Sequence, residues 1–219
     1  MARAMLPIIL FLLSTVAAQA EDAKALIDAA TSKIGKGDFK GAVDDLSRAI
    51  ELDPANAPAY KTRGLAHHQM DEFQTAIEDY TRALAIDPTM VMAYNFRANA
   101  LRSIGKFPEA HADCDKAIEI DPKFEWAYIH RGTVRYLLGD LGGAKADLTA
   151  ALGLGASYAD YTCLWLWAID AKMMRTEMAT KTITDWPAGA PPFARGVNIA
   201  FLALNALFLA CRAMSKPAA

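Results

Sequence analysis

The sequence predicts an all-α fold, an α-solenoid of helix-turn-helix repeats with a C-terminal helical cap. One observation behind this is a constant step: Asp-Pro recurs at Pro54, Pro88 and Pro122, 34 residues apart each time, and Tyr60, Tyr94, Tyr128 and Arg63, Arg97, Arg131 keep the same interval. A second is that small and large apolar residues fall into helical register within each interval. The third is composition. With 219 residues, 53% apolar and 22% charged, the chain is neither a disordered polymer nor a membrane bundle, and it is long enough to bury a substantial core.

The first element, residues 1–20, reads differently from the rest. Arg3 precedes an apolar run over 5–16, and Ala18-Gln19-Ala20 follows it. This is the pattern of a cleavable secretory leader, with Glu21 opening the mature chain. The apolar run is well short of the roughly 20 residues a spanning helix needs. No cysteine stands at the expected cleavage point, so lipid modification there has no support. The expected location is exported and periplasmic.

Residues 21–158 carry the repeats, with units at 23–56, 57–90, 91–124 and 125–158. Position 8 of the unit holds Ala30, Gly64, Ala98 and Gly132; position 20 holds Ala42, Ala76, Ala110 and Ala144; position 27 holds Ala49, Ala83, Ala117 and Ala151. These small residues mark close helix crossings. Large residues stand between them: Leu26, Tyr60, Tyr94 and Tyr128 at position 4, and Phe39, Phe73, Phe107 and Leu141 at position 17. Each unit is thus expected to be two antiparallel helices with one apolar face apiece. Gly or Asp in the segments 35–38, 69–72, 103–106 and 137–140 ends the first helix and caps the second. Pro108 falls in a first helical turn, where a missing N–H costs little. Asp-Pro ends the second helix, because proline disfavours helical geometry in the residue before it and cannot donate to the preceding turn.

On these residues the chain resembles the tetratricopeptide repeat family, whose period is 34 and whose small and aromatic positions match. It departs at position 11, where Lys33, His67, Leu101 and Arg135 replace the usual aromatic, and repeat 1 lacks the aromatic at position 4. Atypical terminal repeats suit a solenoid packed on one side only. The resemblance implies a protein-interaction scaffold, whose first helices line a concave groove through positions 2, 5, 6, 9 and 12. In this chain the groove is expected to comprise Lys61 and His68, then Met92, Asn95, Phe96, Asn99 and Arg102, then Trp126, Ile129, His130, Thr133 and Tyr136. Asparagine amides suit an extended peptide backbone, and aromatic side chains serve as anchors; packing between repeats is the other reading of Trp126 and Tyr136. The family's carboxylate clamp for chaperone C-termini is incomplete, since Leu65, Phe96, Trp126 and His130 occupy slots it needs. The expected partner is a protein or peptide segment of another envelope protein.

Position 7 arginines (Arg63, Arg97, Arg131) and position 23 aspartates (Asp45, Asp79, Asp113, Asp147) are expected to form partly buried ion pairs that set helix registry. His111, Asp113, Cys114 and Asp115 crowd together, but only His111 and Asp115 share a helix face, and two ligands do not make a zinc site. His67 and His68 read as helix-surface residues. No GxSxG, HExxH, P-loop or GxGxxG is present, so neither an enzyme nor a cofactor or metal is expected. The formal charge of −2 and a sequence pI of about 6.1 disfavour nucleic acid. Within 21–158, 16 Lys/Arg face 21 Asp/Glu, which makes the repeats acidic.

Beyond the repeats, 159–186 is expected to form a degenerate fifth unit or cap, with an almost all-round apolar helix at 161–174 and a second helix near 176–185. The aromatic stretch at 164–167 and Trp186-Pro187 also resemble the C-terminal portion of bacterial exported tetratricopeptide proteins. A Pro/Gly-rich loop, 187–195, breaks the chain. The final segment, 196–219, contains an apolar run at 196–211 with Asn198, Asn205 and Arg212 on one line. Docking on the solenoid, with Cys163 near Cys211, is expected; the alternative is a transmembrane helix that anchors a subunit of an envelope assembly.

Overall fold

The computed structural model describes residues 2–155 and 159–184, with side chains over 19–155 and 159–174. The described residues form nine α-helices and no strand: α1 (Ala2–Gly35), α2 (Phe39–Leu52), α3 (Ala57–Gln69), α4 (Phe73–Ile86), α5 (Val91–Ser103), α6 (Phe107–Ile120), α7 (Glu125–Leu138), α8 (Leu141–Leu154) and α9 (Ala159–Thr184). The fold is an all-α solenoid. Among the described residues no helix is long and apolar enough to cross a membrane. The expected leader forms the first part of α1, and 187–219 lies outside the described residues, including the docked tail and the Cys163–Cys211 pairing.

The turn inside each unit repeats one geometry. The residue at position 15 has a positive φ four times, as Gly37 (81°), Asp71 (60°), Gly105 (79°) and Gly139 (87°). Glycine reaches that left-handed conformation without a Cβ clash, and a short polar side chain such as aspartate is the usual substitute. The residue after it donates its N–H five residues back, as in Asp38 to Lys33, Glu72 to His67, Lys106 to Leu101 and Asp140 to Arg135, at 2.9, 3.0, 2.9 and 2.9 Å. This satisfies a carbonyl that the helix end would leave bare. Asp38 and Asp140 then cap the next helix by accepting from Gly41 and Gly143.

Asp-Pro is more than a stop. Asp53, Asp87 and Asp121 donate their N–H to Ala49, Ala83 and Ala117, which closes the last turn. Their carboxylates reach over the proline and accept from the N–H two residues on, at Ala55, Thr89 and Lys123. The aspartate thus ends one helix and shapes the turn into the next.

The chain divides into two compact units, 1–116 and 117–219, with the boundary inside α6. In the first, α1 packs on α2, α2 on α3, α3 on α4 and α4 on α5. Ala30, Ala42, Ala49, Ala76 and Ala83 are fully buried, as the close-crossing pattern requires. A Cβ on Gly64 would stand 2.7 Å from the Tyr80 ring. In the second unit α7 packs on α8 and α8 on α9, around Ile129, Ala144, Leu148, Ala151 and Ile169. One difference from the sequence reading is α9, which runs unbroken to Thr184 where two helices were expected. The segment 171–184 holds no Gly or Pro to stop it.

Candidate partner-binding face

Paired charges fix the helices that carry this face. Arg63 reaches from α3 to Asp79 on α4 with two hydrogen bonds, Nε to Oδ2 at 2.9 Å and a terminal nitrogen to Oδ1 at 2.6 Å. Arg97 with Asp113 and Arg131 with Asp147 repeat the fork at 2.8 and 2.7 Å, and at 2.9 and 2.6 Å. Arg63 and Arg97 also donate back to Ser47 and Thr81 of the preceding unit. Each guanidinium lies over the tyrosine three residues earlier, 5.5–5.6 Å from the ring centroid. The hydrogen bonds to aspartate raise the pKa of Arg63 and Arg97 further, so these cations are permanent.

Position 11, read from sequence only as a departure, completes the same arrangement. Lys33 stands 2.6 Å from Asp45, where repeat 1 has Ala29 in place of the arginine. Arg135 joins Asp147 at 2.9 Å, and His67 lies between Glu72 at 2.6 Å and Asp79 at 4.0 Å. Basic residues at position 11 in three units, opposite an invariant aspartate at position 23, were the signal available. His111 pairs with Asp115 at 3.1 Å, and Cys114 is buried.

In the first unit the expected groove residues fall on the equivalent faces of α3 and α5. Lys61 and Asn95 both hold position 5, His68 and Arg102 both hold position 12, and α3 touches α5. Met92 is 42% exposed, while Phe96 is half-buried with its ring 5.9 Å from that of Tyr80. Asn99 accepts from the Arg102 guanidinium at 2.7 Å. Asn95 is buried, and its Oδ1 accepts no hydrogen bond; the Nε of Arg102 is likewise buried and donates none.

In the second unit the placement differs. Ile129 is fully buried in the core beside Ile169 of α9, and Thr133 is buried with its hydroxyl donating to the His130 carbonyl at 2.8 Å. His130 is also buried, 5.4 Å from the Trp126 ring. These three are interior residues because α9 packs against α7. Tyr136 stacks edge-on against Trp165 at 5.3 Å, with the Lys172 ammonium 4.5 Å above its ring. Tyr136 and Trp126 are half-buried at the margin of this cluster.

His68 packs edge-on against Phe73, with centroids 5.2 Å apart. Burial, the largest cause, lowers its pKa, Arg102 adds to this, and Asp71 opposes it. Unfolded chain therefore binds this proton at a pH where the folded chain does not. The stability tied to neutral His68 is complete above the ordinary histidine value of about 6.5 and falls as pH drops toward the lowered one. Urea midpoints compared at pH 7.5 and 5.5 are expected to fall on acidification, and less in His68→Gln than in wild type. An equal fall in both forms would remove His68 from this effect.

The model described as Tetratricopeptide repeat matches residues 57–90 and 91–124, and one described as TPR repeat matches 34–71. Among solved structures, the TPR2B domain of yeast Sti1, in its pHsp70 complex, is 30% identical with a TM-score of 0.52, over 53% of this chain and 97% of that one. The Arabidopsis OM64 TPR domain is 29% identical with a TM-score of 0.53, over 54% of this chain and 98% of that one. Pseudomonas aeruginosa pilF shares the fold at 20% identity, with a TM-score of 0.68 over 90% of this chain and 89% of that one. No curated protein matches the chain in sequence.

Proposed function

This chain belongs to the tetratricopeptide repeat family, and from that premise we propose that it is a non-enzymatic adaptor of the bacterial cell envelope, exported by residues 1–20, that holds a segment of a partner protein. Family members are protein-interaction scaffolds, and the similar Sti1 domain is solved with a bound partner. The observation that carries the reading is the α3–α5 face. It displays Met92 and the edge of Phe96 among Lys61, His68, Asn99 and Arg102, a mixed apolar and polar surface suited to a peptide.

Pull-down from envelope extracts with the full chain is the test. One reproducible partner is expected, and Met92→Ala weakens its capture while helicity and melting stay unchanged, because an exposed side chain supports no core. Retention of that partner at full strength by Met92→Ala combined with Asn99→Ala would move the binding face elsewhere. Phe96→Ala is less decisive, since Phe96 also packs on Tyr80.

Export rests on the leader pattern alone. Intact mass of the mature protein is expected to show a chain beginning at Glu21. A retained Met1 would sink the cleavage and the periplasmic assignment together.

A further inference from the structure

We infer that Cys163 and Cys211 form a disulfide that staples residues 196–211 along α9, so that the C-terminal segment is a covalently held cap and not a membrane anchor. The fit does not depend on partner binding; only the oxidant rests on the export proposed above.

Cysteine state and burial are the starting point. Cys163 is disulfide-bonded, Cys114 holds a buried thiol, and the chain has three cysteines. Within one chain the remaining partner is Cys211. Trp165, Leu166, Ile169 and Met173 form the face of α9 that shares a core with Ile129, Ala144 and Leu148. Cys163 lies about a quarter-turn around the helix from the middle of that face, yet it is only 2% exposed. Trp167 and Met174 share its row at i+4 and i+11 and are half-buried, while Asp170 between them is drawn to Lys145 at 2.7 Å. A row with a buried cysteine and two half-buried large apolar residues is a second contact face of α9.

Residues 196–211 match that row in chemistry and in length. Wound as a helix, they put Cys211 in one row with Leu207, Leu204, Ala200 and Val197, the same spacing in reverse, and leave Asn198, Asn205 and Arg212 on the other side. Two such rows pair in antiparallel order, Cys211 beside Cys163, Leu207 beside Trp167 and Ala200 beside Met174. Cys163 lies 21 residues before Thr184, about 32 Å, and Cys211 lies 15 after Gly196, about 22 Å. Residues 185–195 must cover the difference, about 10 Å, and the spacing of packed helix axes, also about 10 Å. Extended, they reach about 40 Å. As a spanning helix the same run covers about 24 Å of roughly 30 Å of hydrocarbon and carries Cys211 away from Cys163. In the closing step the two thiols lose two protons and two electrons as the Sγ–Sγ bond forms, and the disulfide that exchanges with them is reduced to two thiols. An oxidising compartment supplies that exchange partner.

To test this, the full-length chain, purified reduced, is treated with oxidised glutathione, alkylated, and digested with trypsin in denaturant. The expected product is peptide 146–172 joined to 196–212 and separated by reduction, with Cys114 alkylated. Urea unfolding is read alongside. Reduction moves the midpoint of the oxidised chain downward, and Cys163→Ser and Cys211→Ser each abolish that movement, so one suffices where the other fails to fold. Leu204→Glu, in the row with Cys211, lowers the yield of the bond at fixed glutathione, while Asn205→Glu, on the polar side, leaves it unchanged. A covalent dimer, a bond to Cys114, or three unbonded thiols after treatment overturns the staple. Equal yields in Leu204→Glu and Asn205→Glu overturn the docked row. Chain alkylated directly in cells separates the staple from export: a bond that forms with glutathione but is missing in cells leaves the staple standing and sinks the export reading.

Discussion

Asp79→Ala lowers the stability of the first unit by about 3 to 5 kcal/mol in urea unfolding. Asp79 is 4% exposed, and its removal leaves the Arg63 guanidinium partly buried between α3 and α4 with its two strongest acceptors gone. His67, 4.0 Å from the same carboxylate, loses a neighbour as well. The double substitution Arg63→Met with Asp79→Leu is expected to recover most of the loss, because removing both charges also removes their desolvation cost. The gap between single and double variants measures how much of the effect is an orphaned charge. A loss under about 1 kcal/mol in Asp79→Ala would make the pair equivalent to a surface ion pair and refute the buried-lock description. Since repeat arrays need not unfold in one step, the comparison uses the transition that reports on this unit.

Gly64→Val is expected to cost about 2 to 3 kcal/mol by overpacking the crossing of α3 and α4. An added Cβ meets Tyr80 at 2.7 and 2.9 Å and the Ala76 carbonyl oxygen at 3.2 Å. Neither neighbour can yield: Tyr80 is fully buried and the oxygen is backbone. Gly153 is the control, since nothing lies within 4 Å of its Cβ position. Gly153→Ala, inside α8, is expected to gain about 0.5 to 1 kcal/mol from helix propensity alone. Thermal melts of the two variants should move in opposite directions. A neutral Gly64→Val would mean that the two helices separate more easily than their contacts suggest.

The repeats made the fold legible because each constraint is written several times. Alanines at positions 20 and 27 and the Arg–Asp columns could be read without coordinates, since only a helix pair of fixed geometry brings residues 16 apart together in every unit. What was not legible lies where repetition ends. The length of α9 depends on the absence of a breaker after Met174, a weaker sign than a proline. Ile129 and Thr133 sit at positions that face a ligand in an inner repeat, but here α9 covers α7 and turns them into core. The role of position 11 was overlooked because Lys33, His67 and Arg135 stand where the family has an aromatic residue and so read as a departure, and only the shared aspartate opposite reveals their common task. Unsatisfied groups on Asn95 and Arg102 have no sequence signature at all.

The constant separation of 16 residues between each arginine and its aspartate also governs how the chain can fold and change length. A loop of that size closes at small entropic cost, and its cost does not grow with the number of units. Contact order stays low however long the array becomes, so folding can begin in any hairpin and spread to its neighbours. By the same reasoning, a whole 34-residue unit inserted or deleted leaves every remaining closure at its original span. A cut inside a unit breaks one of them. Tolerance to insertion is therefore quantised in units of the repeat.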